Sequence, residues 1–108
     1  MVIMETPVFT RQIQAIMPDE TYRALQEALI RNPHLGAEIP GSGGLRKVRW
    51  LVPGKGKRGG ARIIYFWIRR SEQIYMLLAY TKSRQDNLTE DQVKTLNALV
   101  AQELNDGQ

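Results

Sequence analysis

A chain of 108 residues is one domain, residues 1–108, with room for a single modest core. With no cysteine and one histidine it excludes disulfides, thiolate metal sites and any acid–base pair of histidines. A net charge of +4 favours anionic partners without choosing among nucleic acid, acidic protein and membrane surface. No apolar run approaches the ~20 residues that cross a bilayer. Met1–Glu5 has neither the charged start nor the long apolar stretch of a signal peptide. The expectation is a cytoplasmic protein with no membrane association.

Val2–Glu5 is short and β-prone, and reads as a strand. Thr6-Pro7 opens a helix, since proline is tolerated in a first turn. Phe9, Ile13, Ile16 and Met17 then recur at helical spacing. Pro18 ends that helix and begins another, with Asp19 and Glu20 at its positive end. Tyr22, Leu25, Ala28 and Leu29 form its apolar stripe, and Asn32-Pro33 stops it. The pair forms a helical hairpin.

His34–Pro40 reads as a connection. Leu45–Val52 reads as a strand with Arg46, Val48, Trp50 and Val52 on one face and Leu45, Lys47, Arg49 and Leu51 on the other. Neither face is purely apolar, which fits a strand with a working surface. Pro53–Gly60 is a basic, glycine-rich loop. Ala61–Ile68 is a strand with Ile63, Tyr65 and Trp67 on one face and Arg62, Ile64, Phe66 and Ile68 on the other. Arg69–Gln73 is a tight polar connection. Ile74–Thr81 is nearly all apolar, as a strand inside a sheet would be. After the charged loop Ser83–Leu88, Thr89-Glu90-Asp91-Gln92 has the form of a capping box. Val93, Leu96, Val100 and Leu104 stripe the last helix, and Asn105–Gln108 is a tail. The order β-α-α-β-β-β-α predicts an α+β domain: an antiparallel-rich sheet with an N-terminal helical hairpin and a C-terminal helix.

The charge is polarised along the chain. Nine cations lie between Glu38 and Glu72 with no acid among them: Arg46, Lys47, Arg49, Lys55, Lys57, Arg58, Arg62, Arg69 and Arg70. Gly54–Gly59 matches GxGxxG, but a dinucleotide site needs a helix after the glycines, and here a strand follows. The loop either delivers Lys55, Lys57 and Arg58 to phosphates or is only a solvated turn. Arg62 is more specific, because a cation one residue inside an apolar strand needs a partner. It either grips a phosphate with two parallel hydrogen bonds or pairs with an acid. Lys82 converges on the same phosphate if it shares a rim of the sheet with Arg62. Tyr65, Tyr75 and Tyr80 either stack bases or sit in the core. Trp50 and Trp67 read as core. His34 has no visible catalytic partner. No acidic cluster suggests a magnesium nuclease, so no metal or other cofactor is expected.

The segments Glu5–Thr10, Ile39–Lys47, Gly54–Tyr65, Ile74–Lys82 and Asn87–Thr89 resemble the RelE/HigB family of type II toxins, most closely its HigB-like branch. The Gly54–Arg62 stretch is the most specific part. The resemblance implies a ribosome-dependent endoribonuclease, an mRNA interferase that inhibits translation by cutting mRNA in the 30S A site. There the 2′-hydroxyl attacks the adjacent phosphate and the 5′-oxygen leaves. It implies a HigA-like helix-turn-helix antitoxin as partner. Carried onto this chain, Arg62, Lys82 and Lys57 are the catalytic candidates. Arg46, Lys47, Arg49, Lys55, Arg58, Tyr65, Tyr80 and Arg84 are the RNA-binding candidates. No tyrosine or histidine follows Tyr80, unlike in some relatives, so the general acid and base stay open. The alternative is a non-catalytic RNA-binding or regulatory module on the same scaffold.

Overall fold

The computed structural model describes residues 1–54 and 60–106. The chain runs β1 (Val2–Glu5), α1 (Pro7–Ile16), α2 (Asp19–Arg31), β2 (Ala37–Glu38), β3 (Arg46–Trp50), β4 (Ala61–Ile68), β5 (Gln73–Thr81) and α3 (Glu90–Asp106). This is the expected α+β order with one addition. The connection after α2 contains β2, two residues paired antiparallel to β3 through Ala37 with Lys47 and Glu38 with Arg46. So short a strand carries no periodicity for a sequence to display.

The helix boundaries follow local chemistry. Thr6 caps α1, its Oγ1 accepting from the Phe9 amide at 3.0 Å, and Pro7 supplies a first-turn residue that needs no partner for an N–H. Pro18 ends α1, and Asp19 and Glu20 occupy the first turn of α2. Thr89 and Gln92 close a reciprocal box at the start of α3: Thr89 Oγ1 accepts from the Gln92 amide at 3.1 Å, and Gln92 Oε1 accepts from the Thr89 amide at 2.9 Å.

The five strands form one mixed sheet in the order β1-β5-β4-β3-β2. The β1–β5 pair is parallel and the others antiparallel. Helices cover both faces, which explains why β4 and β5 are apolar on both sides. Under the α1–α2 hairpin, Phe9, Ile13, Leu25 and Leu29 pack on Val48, Ile63, Tyr65, Ile74 and Met76. Under α3, Leu96 and Val100 pack on Leu45, Ile64, Leu77 and Tyr80.

One irregularity interrupts β5. Tyr65 pairs with Met76, whereas the preceding residue Ile64 pairs with Leu78, so Leu77 is an extra residue on its strand. Thr6 holds that point: its amide donates to the Met76 carbonyl at 3.1 Å and its hydroxyl donates to the Leu77 carbonyl at 3.0 Å.

Candidate functional site

Antiparallel register places Arg49 opposite Arg62 and Arg62 opposite Tyr80. Directly opposed residues share a face, so the three side chains form a row across β3, β4 and β5 on the α3 side of the sheet. Glu5, the last residue of β1, pairs with Met76, so β1 has ended before this row is reached. The sheet there is three strands wide.

Arg62 is only 5% exposed. Among the described residues its one hydrogen bond is a long one, Nη1 to the Gly60 carbonyl at 3.4 Å, and its buried Nε has no partner there. Among the described residues the one ion pair is Arg31 with Glu27, on the exposed face of α2. The acid that would neutralise Arg62 internally is therefore not found among those residues. A buried guanidinium without a carboxylate is costly, and an anion arriving from outside relieves the cost.

Tyr80 is 6% exposed, and its buried hydroxyl is likewise without a partner among the described residues. Burial pushes its phenol above the ordinary tyrosine value, the nearby Arg62 charge pulls it down, and Asp86 pushes it up. At neutral pH the hydroxyl carries its proton. Two unsatisfied polar groups, one cationic and one a neutral donor, thus stand side by side in register. Such groups are rare in a folded protein and ask for a ligand.

The remaining expected residues fall into distinct places. Thr81 pairs with Ala61, so the exposed Lys82 follows directly at the rim where β4 begins, the rim nearest Arg62. Arg84 is exposed in the turn beyond it, its amide bonded to the Thr81 carbonyl at 3.0 Å. Lys47 shares the Arg49 face, and its Nζ donates to Asn87 Oδ1 at 3.0 Å, tying the loop before α3 across the sheet. Lys55, Lys57 and Arg58 lie outside the described residues.

Three expectations require correction. Tyr65 has no surface to offer a base. It is fully buried under the helical hairpin, where its hydroxyl donates to the Pro33 carbonyl at 2.7 Å and accepts from the Gly36 amide at 2.9 Å. Arg46 projects from the opposite face to Arg49, because strand neighbours alternate. Its Nη1 donates to the Gly36 carbonyl at 2.7 Å, so it braces the segment after α2 rather than joining the row. Tyr80 is too enclosed to be a stacking platform, and what it presents is a hydroxyl. Alternation distinguishes the faces of a strand but not which face remains open when both are roofed by helices. The Arg62–Tyr80 pairing is set by contacts far apart in sequence, and no local signal encodes it.

At the other end of β4, Trp67 is held between His34, edge-on at 4.9 Å between centroids, and Arg69, whose guanidinium lies 4.7 Å from the ring centroid. Arg69 thus has an aromatic partner, whereas Arg62 has only the long bond to the Gly60 carbonyl among the described residues.

The family model for the RelE toxin of the RelE/RelB toxin–antitoxin system matches residues 1–106. The chain belongs to the RelE toxin family. It is thus a toxin of a toxin–antitoxin system with an antitoxin partner, in a family whose members are generally translation-inhibiting endoribonucleases. No helix among the described residues is long and apolar enough to cross a membrane.

Proposed function

We propose that this RelE-family toxin is a ribosome-dependent mRNA interferase that cuts mRNA in the A site. The observation that carries the reading is Arg62: buried in a strand, unpaired with any acid among the described residues, and set in a row with Arg49 and Tyr80. A guanidinium in that position meets the charge that builds on the non-bridging oxygens when a 2′-oxygen attacks a phosphodiester. Preorganised charge in a water-poor site is the strongest lever an enzyme has over such a transition state. Lys82 at the same rim stabilises the leaving 5′-oxygen. Arg49, Lys47 and Arg84 hold the message through its phosphates, together with Lys55 and Arg58, and Lys57 is the third catalytic cation.

Because Arg62 Nε and the Tyr80 hydroxyl are sealed from solvent, the phosphate reaches them by parting contacts at this rim. The Lys47–Asn87 tie is exposed and costs about 1 kcal/mol or less to break. In this reading the ribosome orients the message, supplying geometry that a small protein with one histidine does not build alone. The antitoxin is of the HigA-like helix-turn-helix kind, and the compartment is the cytoplasm, where translating ribosomes are found.

Induction of the toxin should arrest growth and translation, and primer extension on translated mRNA should reveal new 5′ ends within the reading frame. RNA retained on the protein or ribosome without cut ends would instead establish the non-catalytic binding module. An Arg62→Ala variant that stayed folded and fully toxic would sink the site assignment.

A further inference from the structure

The proposed cleavage needs a proton for the departing 5′-oxygen, and the described residues offer few donors at the right place. His34 packs against Trp67 at the far end of the sheet. Tyr65 spends its proton on Pro33, and Tyr22 donates to Glu5. Tyr75 is half-buried in the layer under α3 and faces Phe66 across the strands rather than Arg62. Tyr80 alone among the tyrosines combines a buried hydroxyl without a partner with a register position directly opposite Arg62.

We infer that Tyr80 is a catalytic residue of this toxin, the general acid that protonates the 5′-oxygen leaving group. The inference rests on the mRNA-cutting reading above and adds to it the source of the proton. In the step, the 2′-hydroxyl loses its proton to solvent and the 2′-oxygen–phosphorus bond forms. The phosphorus–5′-oxygen bond breaks, and the phenolic proton of Tyr80 passes to that oxygen. The products are a 2′,3′-cyclic phosphate, a 5′-hydroxyl and a phenolate, which then takes a proton back from solvent.

Two features of the site suit this role. Burial keeps the phenol protonated through neutral pH, so it is a donor rather than a base. The Arg62 guanidinium beside it compensates the phenolate formed when the proton leaves, so the same cation serves the phosphate and its acid. The Trp67 indole nitrogen at the other end of β4 is also buried without a partner, but only here do two such groups, Arg62 Nε and the Tyr80 hydroxyl, belong to residues directly opposite one another, and burying both without a partner is unfavourable.

The test uses ribosomes programmed with a short synthetic mRNA and the full-length toxin, wild type and Tyr80→Phe, followed in single turnover. Phenylalanine keeps the ring, and matched melting curves show that the fold is kept. With ordinary mRNA, Tyr80→Phe should cut roughly 100-fold more slowly. With a message carrying sulfur in place of the scissile 5′-oxygen, the leaving thiolate needs no proton, and the variant should cut within a few-fold of wild type. Equal rates on the oxygen message overturn the assignment of Tyr80 while leaving the nuclease reading intact. An equal slowing on both messages also overturns it, because the hydroxyl would then act on positioning. Wild-type protein that cuts neither message overturns the nuclease reading and this inference together.

Discussion

The two ends of the β4–β5 hairpin carry similar residues and treat them differently. At the turn end, Arg69 stacks on Trp67 and Arg46 donates to the Gly36 carbonyl, so each cation has a partner within the fold. At the open end, Arg62 and Tyr80 are more deeply buried than those arginines and have less. Charge alone does not mark a working site in a chain with nine cations in its middle third. What sets Arg62 apart is burial without an acid partner among the described residues.

The comparison is broken most directly by Arg62→Ala. Cutting should fall by about 10²–10³-fold, in line with loss of one preorganised donor to a developing oxyanion, and growth arrest should be relieved. Stability should change by less than about 1 kcal/mol, because the lost packing of the side-chain stem is offset by removal of an unpaired buried charge. Growth curves with primer extension read the first, and a urea melt reads the second.

Tyr65→Phe should do the reverse. It orphans the Gly36 amide and the Pro33 carbonyl, costing about 1–3 kcal/mol in a denaturant melt, while cutting per folded molecule is unchanged. Loss of cutting with full stability would return Tyr65 to the site.

Arg49→Ala comes next in size. As an exposed member of the row it should weaken mRNA binding uniformly across sequences and lower the salt slope of binding by about one. Binding titrations at several salt concentrations check this. Arg69→Ala should do least, costing about 0.5–1 kcal/mol of stability through the lost stack on Trp67, with cutting unaffected. If Arg69→Ala impaired cutting as much as Arg62→Ala, the contrast between the ends would collapse.

Much of the architecture was legible from local chemistry. Thr6-Pro7, Pro18-Asp19, Asn32-Pro33 and the Thr89–Gln92 box bound the helices as read, because caps and prolines act over a few residues. Alternation in β4 correctly set Tyr65 and Arg62 on opposite faces. It could not show that a hairpin roofs one face, which is why Tyr65 was expected at an RNA surface and is found locked to Pro33 and Gly36. Gly36 illustrates the same limit. A Cβ there would lie 2.8 Å from the Tyr65 ring and 2.9 Å from the Lys47 carbonyl group, a closeness visible only once distant segments meet. The short β2 and the extra residue in β5 escaped for the same reason. Of the candidate site, Arg62 was singled out by its position inside an apolar strand. Its alignment with Tyr80 came from pairing 18 residues away in sequence, which no local pattern records.

The irregularity at Leu77 also decides which side chain stands opposite Arg62. Had β5 continued from the Tyr65–Met76 pair without a break, Arg62 would stand across from Ala79, and the Tyr80 hydroxyl would point under the helical hairpin. The phase of the strand is fixed by Thr6, an amino-terminal residue from the sheet's far margin that contacts neither partner of the row. A methyl-bearing cap at the start of the first helix thereby chooses, between a methyl group and a phenol, what a guanidinium two strands away stands beside.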